Sequence, residues 1–130
     1  MIERDMIERL AEFVNRDENL VRRGRHVNTT FLVEVGDARY LVGIADGRVT
    51  GVKAGPFATP SYSFALRGSR EAWEKYWQPI PPPGFNHLFA LAKRQGLRIE
   101  GDLHPLMANL LYFDDVLAAL RAGPRTEARP

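Results

Sequence analysis

The 130-residue sequence contains no cysteine, which removes disulfides, thiolate nucleophiles, iron–sulfur clusters and cysteine-ligated zinc together. A redox role would therefore need a bound organic cofactor, and nothing in the sequence asks for one. Apolar runs long enough to span a bilayer are also missing. The N-terminus interleaves Glu, Arg and Asp with Ile, Met and Leu, unlike a signal peptide, so a cytoplasmic protein is expected. Charge of one sign is scarce: 18 Lys and Arg stand against 16 Asp and Glu, for a formal net charge of +2. The pI of about 9.2 owes part of its height to Arg121, Arg125 and Arg129 near the end. One basic cluster lies further in, Arg22, Arg23, Arg25 and His26, and it is too small for a surface that tracks nucleic-acid phosphates. It reads as a solvated loop, with weak and salt-sensitive attraction to an anionic head group or membrane as its functional alternative, short of stable anchoring.

Catalytic and phosphate-binding signatures are equally thin. Gly43, Gly47 and Gly51 punctuate extended segments with no helix behind them, so no phosphate loop is present. Ser61, Ser63 and Ser69 sit in no Gly-x-Ser-x-Gly elbow. His87 and His104 each begin a helical segment; Asp102 is two residues from His104 and off its helical face, so capping explains it better than metal ligation. Asp114 and Asp115 are adjacent, which a helix directs about 100° apart, so a solvated face is expected and not a shared acid/base pair.

What is present is an ordinary globular balance, 45% hydrophobic and 26% charged, enough for one core over residues 1–123 with a polar, disordered tail at 124–130. Ile2, Met6, Leu10 and Phe13, flanked by Ile7 and Val14, make an amphipathic first helix. Residues 15–25 lack periodicity and read as a loop. From Thr29 the period becomes two. Phe31, Val33 and Val35, then Tyr40, Val42 and Ile44, alternate with their neighbours, separated by Gly36-Asp37 and followed by Asp46-Gly47, the dipeptide a tight hairpin needs. Arg48–Ala54 and a segment through Tyr62, Phe64 and Leu66 continue as strands, and the short turns predict an antiparallel meander. Ser69 caps a helix carrying Trp73, Tyr76 and Trp77 on one side; a stiff Pro79 to Gly84 segment follows. A helix over 86–95 stops at Gly96, residues 97–101 read as a short fifth strand or an extended linker, and Asp102 opens a last helix with a stripe of Leu106, Leu110, Phe113, Leu117 and Leu120.

Four stretches in this order resemble the sterol carrier protein family: Phe31-Leu32-Val33-Glu34-Val35; Ala45-Asp46-Gly47; Phe64 through Trp73; and Gly96-Leu97-Arg98-Ile99-Glu100-Gly101-Asp102. The resemblance implies an α+β fold, a mostly antiparallel twisted five-stranded sheet with helices packed over one face and an apolar cavity between them. It implies binding or carriage of a fatty acid, an acyl-CoA or a sterol-like lipid, with no cofactor, no metal and no catalysis. The Pro79 to Asn86 segment departs from the family pattern, which widens the expected ligand to other apolar small molecules.

A lipid site needs aromatic and aliphatic walls with a few polar groups at one end. The candidate walls are Phe31, Val33, Phe64, Leu66, Trp73, Trp77, Leu106, Met107 and Leu110, each of which could equally be plain core. Two Trp in one helix before a proline segment suggest a ligand entrance there, because full burial of both is uncommon. Two other classes stay open: a noncatalytic accessory or oligomerising protein with a filled cavity, for which a homodimer is one form, and a small enzyme using His87 or His104 with Asp102.

Overall fold

The structure is a computed structural model that describes residues 2–122, with side chains described from 4 to 121. The expected tail at 124–130 lies outside the described residues. Seven helices are present among them: α1 Ile2–Glu8, α2 Leu10–Asn15, α3 Glu18–Arg23, α4 Arg70–Tyr76, α5 Leu88–Arg94, α6 His104–Ala108 and α7 Leu110–Ala118. Five strands, β1 Thr29–Val35, β2 Ala38–Ala45, β3 Arg48–Ala54, β4 Phe64–Gly68 and β5 Arg98–Gly101, form one sheet in the order β3-β2-β1-β4-β5.

The hairpins follow their turn chemistry. Asp46 and Gly47 both take positive φ, 52° and 81°, the left-handed pair that joins β2 to β3 without splaying them. β4 corrects the meander expectation: it pairs β1 in parallel, Phe31 opposite Phe64 and Val33 opposite Leu66, and the sheet is mixed. The other three pairings are antiparallel. Residues 55–63 are the reason. That connection is long enough to return along the sheet and contains Pro56 and Pro60, which cannot donate to a ladder, so the chain leaves the β3 edge and re-enters beside β1.

Strand alternation decides the core. Phe31, Val33, Val35, Tyr40, Val42, Ile44, Phe64 and Leu66 pack with Leu10, Phe13, Trp73, Leu91, Leu106, Phe113 and Leu117 from the helices. The opposite sheet face carries a charge ladder across four strands, with Arg39, Glu34 and Arg67 in register and Glu100 reaching Arg67 on the diagonal. Arg67 donates to Glu34 and Glu100 at 2.7 Å each and to the Tyr62 hydroxyl at 2.9 Å, and the Glu100 hydrogen bond is the largest of the causes that raise its pKa.

Two helical expectations change. The first helix is broken at Arg9, and the expected loop at 15–25 holds α3, capped by Asp17, whose carboxylate accepts from the Leu20 amide at 3.1 Å. Buried Leu20 and Val21 anchor it, a pair too short to show periodicity among so many charges. Asn15, just before it, uses both ends of its amide on Val49 of β3, accepting from the backbone N–H at 2.8 Å and donating to the carbonyl at 2.9 Å.

Candidate functional site

The last helix is not continuous. The leucine stripe predicts one helix from 102 to 122, but the chain breaks between α6 and α7 at Asn109, with φ −135° and ψ 38°, and ends in a 3-10 turn at Ala119–Ala122. The Asn109 side chain turns back to donate to the Pro105 carbonyl at 3.1 Å, the local competition with helix geometry typical of Asn. Asp102 stands one residue before the helix cap, which is Leu103, and its carboxylate accepts from the His104 amide at 3.2 Å in a turn leading into α6.

The break opens a groove of 550 Å³ lined by Met107, Ala108, Asn109, Leu110, Leu111 and Tyr112, with Arg23 and Asp115 at its charged rim. Its size falls within the range of small-molecule sites, roughly 300 to 1,000 Å³. Met107 and Leu111 are 44% and 68% exposed, large apolar side chains that the groove leaves uncovered. Leu110 is half-buried and packs on the core beneath. There Phe113 meets Phe31 and Phe64 edge-on at 5.4 and 5.3 Å, while Phe31 and Phe64 stack at 5.1 Å.

Tyr112 fastens the groove to the opposite wall. Its hydroxyl donates to the Gly47 carbonyl at 2.7 Å, and burial pushes its pKa up to about 12. The ring lies on Gly24, where a Cβ would fall inside it, so only glycine lets α3 end there. Arg23 closes the rim through an ion pair with Asp115 and a 3.4 Å bond to the Leu111 carbonyl.

Of the nine residues nominated as ligand walls, Met107 and Leu110 line this groove. Phe31, Val33, Phe64, Leu66, Trp73 and Leu106 are buried in the packed core between sheet and helices, and Trp77 is nearly so. The burial expected to be uncommon is what the Trp-bearing helix shows: Trp73 and Trp77 are 0% and 7% exposed. Each is tied down by its indole N–H, Trp73 to the Glu34 carbonyl at 2.9 Å and Trp77 to the Leu117 carbonyl at 3.1 Å, so full burial leaves neither donor unpaired. Among the described residues, neither Trp nor residues 79–84 lines this groove.

Asp114 is a second correction. It is 6% exposed, and its carboxylate accepts from the Tyr76 hydroxyl at 2.8 Å and the Leu88 amide at 3.0 Å, joining α7 to α4 and α5. Burial, then the Asp114 charge, raise the Tyr76 pKa well above the ordinary phenol value. Asp115, its neighbour, is the exposed one, as a helix requires. The sequence reasoning missed Asn109, Leu111, Tyr112 and the Arg23–Asp115 rim. Asn109 inside a leucine stripe was the available signal.

A larger cleft of 610 Å³ lies at the far end of β2 and β3, walled by Arg4, Asp37, Tyr40 and Phe57, and includes none of the nominated residues. Among the described residues, no group of three or more His, Cys, Asp or Glu assembles to hold a metal ion, and no helix is long and apolar enough to cross a membrane.

No protein-family model and no curated protein matches this chain. Solved structures do. Sterol carrier protein 2 superposes with a TM-score of 0.72 at 12% identity, covering 90% of this chain and 94% of that one. A conserved hypothetical protein of Thermus thermophilus, suggested to be a sterol carrier protein, gives 0.68 at 13% identity, with 92% and 89% covered. The ubiquinone synthesis protein UbiJ-SCP2 gives 0.59 at 18% identity, with 91% and 90% covered. The resemblance read from four short stretches of sequence therefore holds across the molecule, and this chain has the fold of sterol carrier protein 2.

Proposed function

We propose that the chain is a binding module for an apolar or amphipathic small molecule such as a fatty acid, an acyl-CoA or a sterol-like lipid, whose tail enters at the α6–α7 joint. The observation that carries this reading is the groove itself, which Met107, Leu110 and Leu111 line with apolar side chains, Leu110 packing against the core that contains Phe31, Phe64 and Phe113. The fold supports it, since the solved neighbours include sterol carrier protein 2. A tail passing inward must displace side chains now in contact, so the ligand would open the interior by moving α6 against α7 about Asn109.

The filled interior favours a second reading, a noncatalytic accessory protein, because three phenylalanines and Trp73 occupy the centre of the sheet–helix interface. The ubiquinone synthesis protein UbiJ-SCP2 has the same fold. A titration of the delipidated chain with a fluorescent fatty acid, followed by displacement with a sterol and an acyl-CoA, separates the two. Saturable one-to-one binding is expected for the carrier. Failure of every one of these ligands to bind refutes it and leaves the accessory reading.

A further inference from the structure

The 610 Å³ cleft between the start of β2 and the end of β3 is walled differently from the α6–α7 groove. Its aromatic wall is Tyr40, buried against the core, and Phe57, half-buried just beyond β3. Gly55 seats the Phe57 ring: a Cβ there would meet the ring at 3.1 Å and the Arg39 carbonyl at 3.4 Å, so its absence lets the ring lie close to the backbone. The Gly55 amide donates to that carbonyl at 2.8 Å, which ties this backbone to β2. Two guanidinium groups, Arg4 from α1 and Arg39 from β2, line the same cleft. Arg39 meets Glu34 through Nε at 3.5 Å, while the same Glu34 oxygen accepts from Arg67 at 2.7 Å. Among the described residues, the two terminal nitrogens of Arg39 are left without a hydrogen bond. Arg4 pairs with Glu8 at 3.3 Å on the exposed face of α1, where such a pair holds weakly. Asp37, the one carboxylate among the described lining residues, stands fully in water 3.9 Å from Arg70.

We propose that this cleft is a second binding site, separate from the α6–α7 groove, and that it takes a small aromatic monocarboxylate. Three features select that class. The planar fork of a guanidinium matches the two oxygens of a carboxylate, and Arg39 lines the cleft with its fork unfilled. A flat apolar body suits a wall made of Phe57 and Tyr40, which offers it ring contact. The lining charge, Arg4 and Arg39 against Asp37, is balanced by one negative group, whereas a dianion would place its second charge against Asp37. The cleft also lies within the size range of small-molecule sites, roughly 300 to 1,000 Å³. This site stands independently of the carrier reading, since the two share no lining residue.

The test is titration of the isotope-labelled full chain with naphthoate, read through backbone amide chemical shifts. Saturable shifts are expected at Arg39, Gly55 and Phe57 and not at Asn109 or Leu111. Naphthamide, which keeps the shape and loses the charge, should bind roughly tenfold more weakly, and naphthyl phosphate no more tightly than naphthoate. Arg39→Gln should weaken naphthoate roughly tenfold and leave naphthamide unchanged. Arg39 is exposed, so the variant should keep the fold, as its amide spectrum will check. Gly55→Ala, which pushes on the Phe57 ring, should weaken both ligands. No saturable shift up to the solubility limit of naphthoate, equal affinity for naphthoate and naphthamide, or wild-type naphthoate binding by Arg39→Gln overturns the proposal. Tighter binding of naphthyl phosphate overturns the choice of a carboxylate. Shifts confined to the α6–α7 groove overturn the second site and leave the carrier reading standing. Naphthoate bound at the cleft of a chain that takes no fluorescent fatty acid supports the second site and refutes the carrier reading.

Discussion

Truncating Leu110 to Ala asks whether the groove is part of the core or open to a ligand. For a fully buried leucine the loss combines transfer of the removed groups with the cavity left behind, about 2 to 5 kcal/mol in all. Leu106 and Leu117 meet that condition at 0% and 1% exposure, and each should cost about 3 kcal/mol. Leu110 differs because one side of it faces the groove. Only about half of its removed surface lies against the core, and the vacated space opens to water, so the cavity contribution falls away. The expected loss is about 1 kcal/mol. Urea unfolding reads this directly. With a slope of about 1.5 kcal/mol/M, Leu110→Ala should lower the midpoint by roughly 0.7 M and Leu106→Ala by roughly 2 M. The same Leu110 variant should weaken fluorescent fatty-acid binding about fivefold, since it removes roughly 1 kcal/mol of apolar contact from the site. A Leu110→Ala loss equal to that of Leu106→Ala would place Leu110 in the core and refute the groove as an entrance. Unchanged ligand affinity would refute it as a contact.

Gly24→Ala should cost about 2 to 4 kcal/mol by thermal unfolding, because its Cβ meets the Tyr112 ring and displacing that ring breaks the bond to Gly47. In a Tyr112→Leu background the same substitution should cost much less, and full additivity would show that the contact is not the cause. Alkaline pH provides a third check. The folded-state pKa values of Tyr76 and Tyr112 are raised, Tyr112 to about 12, so the unfolded chain loses these protons first as pH climbs above about 10. The stability they contribute is complete below about pH 10 and falls through about pH 12. Tyr112→Phe should flatten that decline, and phenolate absorbance should show Tyr76 and Tyr112 ionising above the ordinary phenol range.

The local elements were legible because their signals are local. Period-two runs placed β1 and β2, Asp46-Gly47 fixed a hairpin by its positive φ, and Ser69 capped α4 as expected, accepting from the Ala72 amide at 3.1 Å. The sequence also determined which strand positions face inward, since Phe31, Val33, Phe64 and Leu66 share one parity on their strands. It did not determine strand partners beyond the hairpins. The connection between β3 and β4, residues 55–63, allows either an antiparallel neighbour or a return to β1, and burial of Phe64 and Leu66 beside Phe31 and Val33 selected the second. The groove needed tertiary structure for the same reason. Asn109 breaks a stripe that periodicity alone carries through, and Arg23 reaches Asp115 only because Gly24 admits the Tyr112 ring. Asp114 and Asp115 mark the division most sharply: their chemistry is identical in sequence, and packing against Tyr76 and Leu88 buries one while the helix's step of about 100° leaves the other in water.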